Sequence, residues 1–207
     1  MFEAVSTETM RLSDAKTIRE KIPSKELMRR AGQAIFDAAD LKGPVAVICG
    51  KGNNAGDGFV VASLLKDHGI ECDIILLYED SFSEDGRYFY DICLEKGIPV
   101  KPLGDLTGYE SIVDAIFGTG FKGEVKSPAK EAIQKINSSG AYVVSCDINS
   151  GLNGDTGEGD IFVRSDLTVS IGTFKYGHFL GRAKEAMKTK VNCDIGIEIV
   201  GEKRLFE

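Results

Sequence analysis

No stretch of this 207-residue chain is apolar for long enough to cross a membrane, and none is basic for long enough to grip nucleic acid or an anionic lipid surface. Lys and Arg number 25 against 32 Asp and Glu, a net charge of −7, which argues against general binding to either partner. An anionic small molecule stays possible, because backbone N–H groups bind anions without net positive charge. The N-terminus, MFEAVSTETMRLSD, lacks the basic and apolar regions of a secretory signal. The five cysteines include no C-x-x-C pair, and Cys49, Cys146 and Cys193 lie in or beside apolar runs. Reduced, buried thiols in a cytoplasmic protein are the expectation. Catalytic signatures are missing too. No serine sits in G-x-S-x-G, which argues against an α/β-hydrolase, and no Gly-Lys-Ser/Thr completes a Walker loop. With no internal repeat, low-complexity segment or composition shift, residues 1–207 read as one domain.

What the chain has in excess is glycine, 24 residues, clustered in loops. The stretch Val45 to Leu65, VAVICGKGNNAGDGFVVASLL, organises the rest. Its apolar run Val45 to Cys49 predicts a buried strand, Gly50 to Gly58 a glycine-dense turn, and Phe59 to Leu65 a buried helix. Strand, turn and helix in this order present backbone N–H groups to an anion. Upstream, helical spacing covers residues 7–21, Pro23 ends that helix, and Ser24 N-caps a second over Lys25 to Leu41. Downstream, strands are predicted at Glu71 to Tyr78, Ile98 to Val100, Ser111 to Phe117, Ala141 to Asp147, Asp166 to Gly172 and after Lys190. Helices are predicted at 84–96, closed by Gly97, and, with Ser127 as N-cap and Pro128 at N1, to about Asn137. This alternation predicts an α/β fold with helices on both faces of a parallel sheet.

Three of these strands end in polar, glycine-rich loops: Gly50–Gly58, Gly118–Glu124 and Asp147–Asp155. Ligands of open α/β sheets bind outside the carboxyl ends of the strands, so the three loops should share one edge. In the first, Gly50, Gly52 and Ala55 satisfy the dinucleotide fingerprint only formally, because Asn53, Asn54 and Asp57 crowd it. Those side chains either cap the turn or form a hydrogen-bonding nest for a ligand. Asp114, inside the apolar strand SIVDAIF, needs backbone donors or a hard cation. Asp147, at a strand end, either caps a turn or acts as a general acid/base over the sheet edge. His68 reads as a helix C-cap and His178 as a structural or rim residue.

Taken together, Gly52-Asn53-Asn54-Ala55-Gly56-Asp57-Gly58, Asp114-Ala115-Ile116-Phe117-Gly118-Thr119-Gly120, and Asp147-Ile148-Asn149-Ser150-Gly151 with Asp155-Thr156-Gly157 resemble the NAD(P)H-hydrate epimerases, the YjeF N-terminal domain family. Leu27 to Gly32 and Asp194 to Ile197 match in kind. The resemblance implies a three-layer α/β/α Rossmann-like fold with a mostly parallel sheet, commonly dimeric. It also implies epimerisation of hydrated NADH or NADPH between R and S forms, with a bound potassium ion. Asn53, Asn54, Ala55, Gly56 and Asp57 would contact the substrate, and Gly118, Thr119, Gly120, Phe121, Lys122, Gly123 and Glu124 would hold its phosphates. Asp147 would contact the reacting ring, and Asn54, Asp114 and Ser150 would bind potassium. Asn149 stands where the family commonly has proline, Lys51 where it has a small residue or proline, and Ala55 where it has glycine. The dehydratase domain often fused to this one is not seen, so that partner is expected as a separate chain.

The hydrate carries its hydroxyl on the carbon beside the ring nitrogen. Loss of water to an iminium, or ring opening, followed by return from the other face inverts that carbon. Asp147 is the expected proton carrier, protonating the leaving oxygen and then deprotonating the incoming water. The alternative is an inactive nucleotide-binding scaffold of the same fold, which would have no need to keep Asn54, Asp114, Asp147 and Ser150 together.

Overall fold

The architecture follows from five short apolar runs that are buried on both sides. A computed structural model describes residues 1–79 and 81–207. In chain order the elements are β1 (Phe2–Val5), α1 (Thr7–Glu20), α2 (Ser24–Ala38), β2 (Val45–Cys49), α3 (Gly52–Asp67), β3 (Cys72–Leu76), α4 (Glu84–Glu95), β4 (Val100–Lys101), β5 (Ser111–Ala115), α5 (Ala129–Ser138), β6 (Tyr142–Cys146), β7 (Ser165–Ile171), β8 (Phe174–Lys175), α6 (Ala183–Ala186), β9 (Met187–Cys193) and β10 (Arg204–Phe206). Seven strands form one sheet in the order β4-β3-β2-β5-β6-β7-β9, every pairing parallel.

Strand alternation sorts the core into two layers. Val45, Val47 and Cys49 of β2 pack with α2, α3 and α4, whereas Ala46 and Ile48 face α5. Val113 and Ala115 of β5 join the first layer and Ile112 the second. Period-two sorting of a continuously apolar strand is what a doubly covered parallel sheet requires. The fold is the expected three-layer α/β/α arrangement.

Most expected elements lie within a few residues of their predicted bounds. The opening stretch differs. Gly50 to Gly58 is not an extended turn, because α3 begins at Gly52, so Asn53 to Gly58 form its first turns. Gly52 takes φ +71° to enter the helix. The later glycines serve close packing. A Cβ on Gly56 would come within 2.4 Å of Met28 Sδ, and one on Gly58 within 2.7 Å of the Ala115 Cβ. Helix-breaking composition therefore hid a helix pressed against its neighbours. Ser24 and Ser127 are likewise not the caps: Pro23 and Pro128 occupy those positions.

A second, small sheet, β10-β1-β8, joins the two ends of the chain to the segment after β7. It sets Lys175, the last residue of β8, beside the carboxyl end of β6. All five cysteines are free, four of them buried. Among the described residues no helix is long and apolar enough to cross a membrane.

Candidate functional site

The carboxyl ends of β2, β5 and β6 lie side by side, and the loops leaving them surround a cavity of about 570 Å³. Cavities of this size hold small-molecule ligands. Asn53, Asn54 and Asp57 enter it from α3, Gly118 to Phe121 from the loop after β5, and Asp147 from the end of β6. Not every expected contact residue reaches it. Ala55 and Gly56 are buried in α3 behind the wall, and Lys122, Gly123 and Glu124 are exposed outside it. Lys51 lines the cavity, its ammonium 4.3 Å from the centre of the Tyr78 ring.

Asp147 has the most constrained setting. It is the one non-glycine residue at positive φ, 62°, among the described residues, a conformation Asp tolerates better than most. Its N–H donates to the Val169 carbonyl at 2.8 Å, which fixes the turn. Its Oδ1 accepts from Lys175 Nζ and from the Ile171 N–H at 3.2 Å. Lys175 is 1% exposed, and its ammonium also donates to the Ile171 carbonyl at 2.8 Å. A lysine this deeply buried needs such partners. Burial by itself would raise the Asp147 carboxyl, but the charge and hydrogen bond of Lys175 outweigh it and hold the group below the usual carboxylate range.

His178 is not a rim residue; it is fully buried behind Asp147. Its Nε2 lies 2.7 Å from the Asp147 carbonyl, and its Nδ1 accepts from the Lys175 N–H at 3.1 Å. Those partners assign the neutral tautomer with the proton on Nε2. Burial, and then the Lys175 charge, push the imidazole down to about 4.

Three further carboxyl groups line the cavity: Asp57 from α3, Asp14 from α1 and Asp85 from the first turn of α4. Burial raises Asp57 well above its ordinary value, and the charges of Asp147 and Asp14 add to this. Burial also raises Asp14, on α1, to about 6, with Lys175 opposing and Asp147 reinforcing. Lys175 and Asp14 were missed in the sequence. Lysine in T-F-K-Y-G-H carries no motif, and the apolar spacing that revealed α1 says nothing of what its inner face meets.

Of the expected cation residues, Asp114 and Ser150 are hydrogen-bonded to each other, and Asn54 packs against Gly118 in the loop that leaves β5. Asp114 is fully buried, and its carboxylate accepts from Ser150 Oγ (2.5 Å), Ser145 Oγ (2.8 Å), Ser150 N–H (3.0 Å) and Ile116 N–H (3.3 Å). These donors are all neutral, and burial raises its carboxyl despite them. Ser150 Oγ in turn accepts from the Phe117 N–H at 2.9 Å. Asn54 lies against Gly118, and both its amide atoms are buried without a partner among the described residues. Buried orphan amides are rare and point to a missing ligand, ion or water. Asn149 belongs to a different network: its amide donates to Val163, Ser165 and Ala186 and accepts from Thr168, so it staples the third loop from inside.

A family model described as "YjeF-related protein N-terminus" matches residues 24–177. A protein of Lentilactobacillus buchneri named NAD(P)H-hydrate epimerase is 39% identical over 208 residues, covering 95% of this chain and 96% of its own length. A bifunctional NAD(P)H-hydrate repair enzyme of Coxiella burnetii is 36% identical over 174 residues, and the chain spans only 36% of that relative. For the enzyme of the same name from Archaeoglobus fulgidus, 33% identical, the span is 42%. The crystal structure of the yeast protein ynu0 superposes with a TM-score of 0.78 over 96% of each chain at 23% identity, a likeness of fold.

Proposed function

This chain belongs to the YjeF N-terminal family, and from that premise we propose that it epimerises hydrated NADH and NADPH, interconverting their R and S forms. One observation carries the reading: the family's three motifs converge on a single cavity in which a carboxylate, Asp147, is ion-paired to a buried lysine. An inert scaffold gains nothing from that pair, since burying both charges costs more than burying apolar side chains.

In the proposed mode the nicotinamide end of the hydrate enters the cavity. The amide and carboxyl groups of Asn53 and Asp57 contact it, while Gly118 to Phe121 lie along the phosphates. Asp147, kept ionised by Lys175, accepts the proton of the water that adds to the ring. Its second oxygen, Oδ2, has no hydrogen-bond partner among the described residues and is available to that water. Holding Asp147 ionised favours this base role over the donor role also expected for it.

A potassium ion fits the residues present. Asn54 offers an amide oxygen with no partner among the described residues, against the loop that leaves β5, and β5 carries a buried carboxylate, Asp114, whose charge no cation among the described residues offsets. Asn54, Asp114 and Ser150 would hold it. When bound, the ion supplies charge compensation and ties the three loops together. The chain is further proposed to act as a homodimer beside a dehydratase activity that consumes one epimer.

The direct test supplies an S-specific dehydratase and follows the R-hydrate. With this protein present the R form should be consumed completely. Persistence of the R form at its starting level would exclude the activity, and leave the scaffold reading standing.

A further inference from the structure

The reaction inverts one carbon, so the hydroxyl departs from one face of the ring and water returns to the other. A carboxylate reaching the ring from one wall serves one face well. Asp147 is that group for the incoming water, and the departing oxygen still needs a proton.

The structure offers it from α1, which lies outside the residues matched by the family model. Met10, Asp14 and Ile18, one helical turn apart, all line the cavity, and Asp14 is the polar member of that stripe. The helix is anchored at both flanks. The N–H and Oγ1 of Thr7 each donate to the Asp155 carboxylate at 2.7 Å. Ser13 Oγ and Thr17 Oγ1 accept the N–H groups of Val200 and Glu198, at 3.1 and 3.2 Å. Asp14 is thus held over the cavity by a helix that cannot roll. Facing it are Lys175 from β8, Asp147 from the end of β6 and Asp57 from α3.

We propose that Asp14 is the proton donor to the departing hydroxyl, acting from α1 while Asp147 accepts the proton of the returning water. This rests on the epimerase reading. In the R-to-S sense the carbon–oxygen bond breaks with its electron pair moving to oxygen. The proton of Asp14 completes that oxygen as water, and the nitrogen lone pair closes the iminium. Water then bonds to the carbon from the other face as the iminium electrons return to nitrogen, and its proton passes to Asp147. The S-to-R sense runs through the same groups in exchanged roles, and solvent at the cavity mouth restores the starting protonation. Asp14, near 6, can both hold and release a proton around neutrality, the condition for an effective acid. Asp57, which burial also raises well above its ordinary value, lines the cavity from α3 and is left to contact the substrate.

The test compares wild type, Asp14→Asn and Asp14→Glu, with R and S hydrates quantified directly and NADP⁺ binding measured alongside. Expected for Asp14→Asn is a kcat lower by roughly 10²-fold or more, with an NADP⁺ Kd unchanged within about threefold. Wild-type kcat/KM should fall as pH rises past about 6, and the residual Asn activity should lack that limb. Asp14→Glu should restore part of the rate together with the limb. Asp14→Asn turnover within about threefold of wild type, or affinity lost in step with kcat/KM, would overturn the assignment. If the Asn variant does not fold, the wild-type profile decides, and absence of the limb overturns it. A wild type that interconverts nothing refutes the epimerase reading itself, a distinct result from an active enzyme indifferent to Asp14.

Discussion

Lys175 and Asp147 place two charges where water hardly reaches, at 1% and 16% side-chain exposure. Removing one partner from such a pair strands the other. Lys175→Met should therefore cost about 3 kcal/mol or more in urea unfolding, while Lys175→Met with Asp147→Asn should recover much of it. Strictly additive losses in the double variant would show that the two charges do not depend on each other. Asp147→Asn alone keeps an oxygen for Lys175 and a side chain tolerant of positive φ, so it should fold. Its turnover should nevertheless drop about 10²- to 10⁴-fold, and near-normal turnover would remove Asp147 from the chemistry. Asp147 was legible as a site residue because a strand end followed by glycine marks a ligand edge. Lys175 was not, because its partner is 28 residues away in sequence and the pairing exists only once β8 joins β1.

At the scale of elements, pH tests the same corner through opposite signs. His178 falls to about 4 in the folded protein, so unfolded chains take up its proton first as pH drops. Its contribution is complete above the unfolded value near 6.5 and is lost between there and about 4, up to about 3 kcal/mol. Asp14, raised to about 6, behaves oppositely: its contribution is complete below 3.8 and disappears as pH rises through 6. On acidification the two offset each other. Asp14→Asn should steepen the loss of stability between pH 6.5 and 4, read from urea midpoints, whereas an unchanged slope would mean that Asp14 titrates as an ordinary carboxyl. The packing of α3 gives a second test. Gly→Ala inside a helix ordinarily gains up to about 1 kcal/mol. Gly58→Ala should instead lose about 1–3 kcal/mol, because its Cβ would meet that of Ala115, and Ala115→Gly should restore part of the loss. A stabilised Gly58→Ala would show that β5 yields easily. This contact also explains why α3 was misjudged. Sequence periodicity identifies apolar faces, but a helix that uses glycine to approach a strand reads like a turn until the strand is in place.

For the whole molecule, the parallel sheet was the legible part, since strands covered on both faces must be apolar throughout and the loops must alternate with helices. The small sheet was not, because β1, β8 and β10 are two to four residues long and draw on both chain ends. Asn54, Asp114 and Ser150 bear on how the large sheet's loops are held together. They come from α3, β5 and the loop after β6, so an ion shared among them would couple three segments in every folded molecule and none in the unfolded chain. Such a ligand stabilises by mass action, about 2.7 kcal/mol at a hundred times its Kd. Raising potassium at constant ionic strength, with choline as the balancing cation, should therefore raise Tm progressively. Asp114→Asn removes the buried charge and Asn54→Ala the unpartnered amide, and each should abolish that potassium-dependent rise. Lys51→Ala, at the cavity but against Tyr78, should leave the rise intact. A Tm that is insensitive to potassium in the wild type, or a rise that survives both substitutions, would mean that the buried amide of Asn54 is met by something other than the ion.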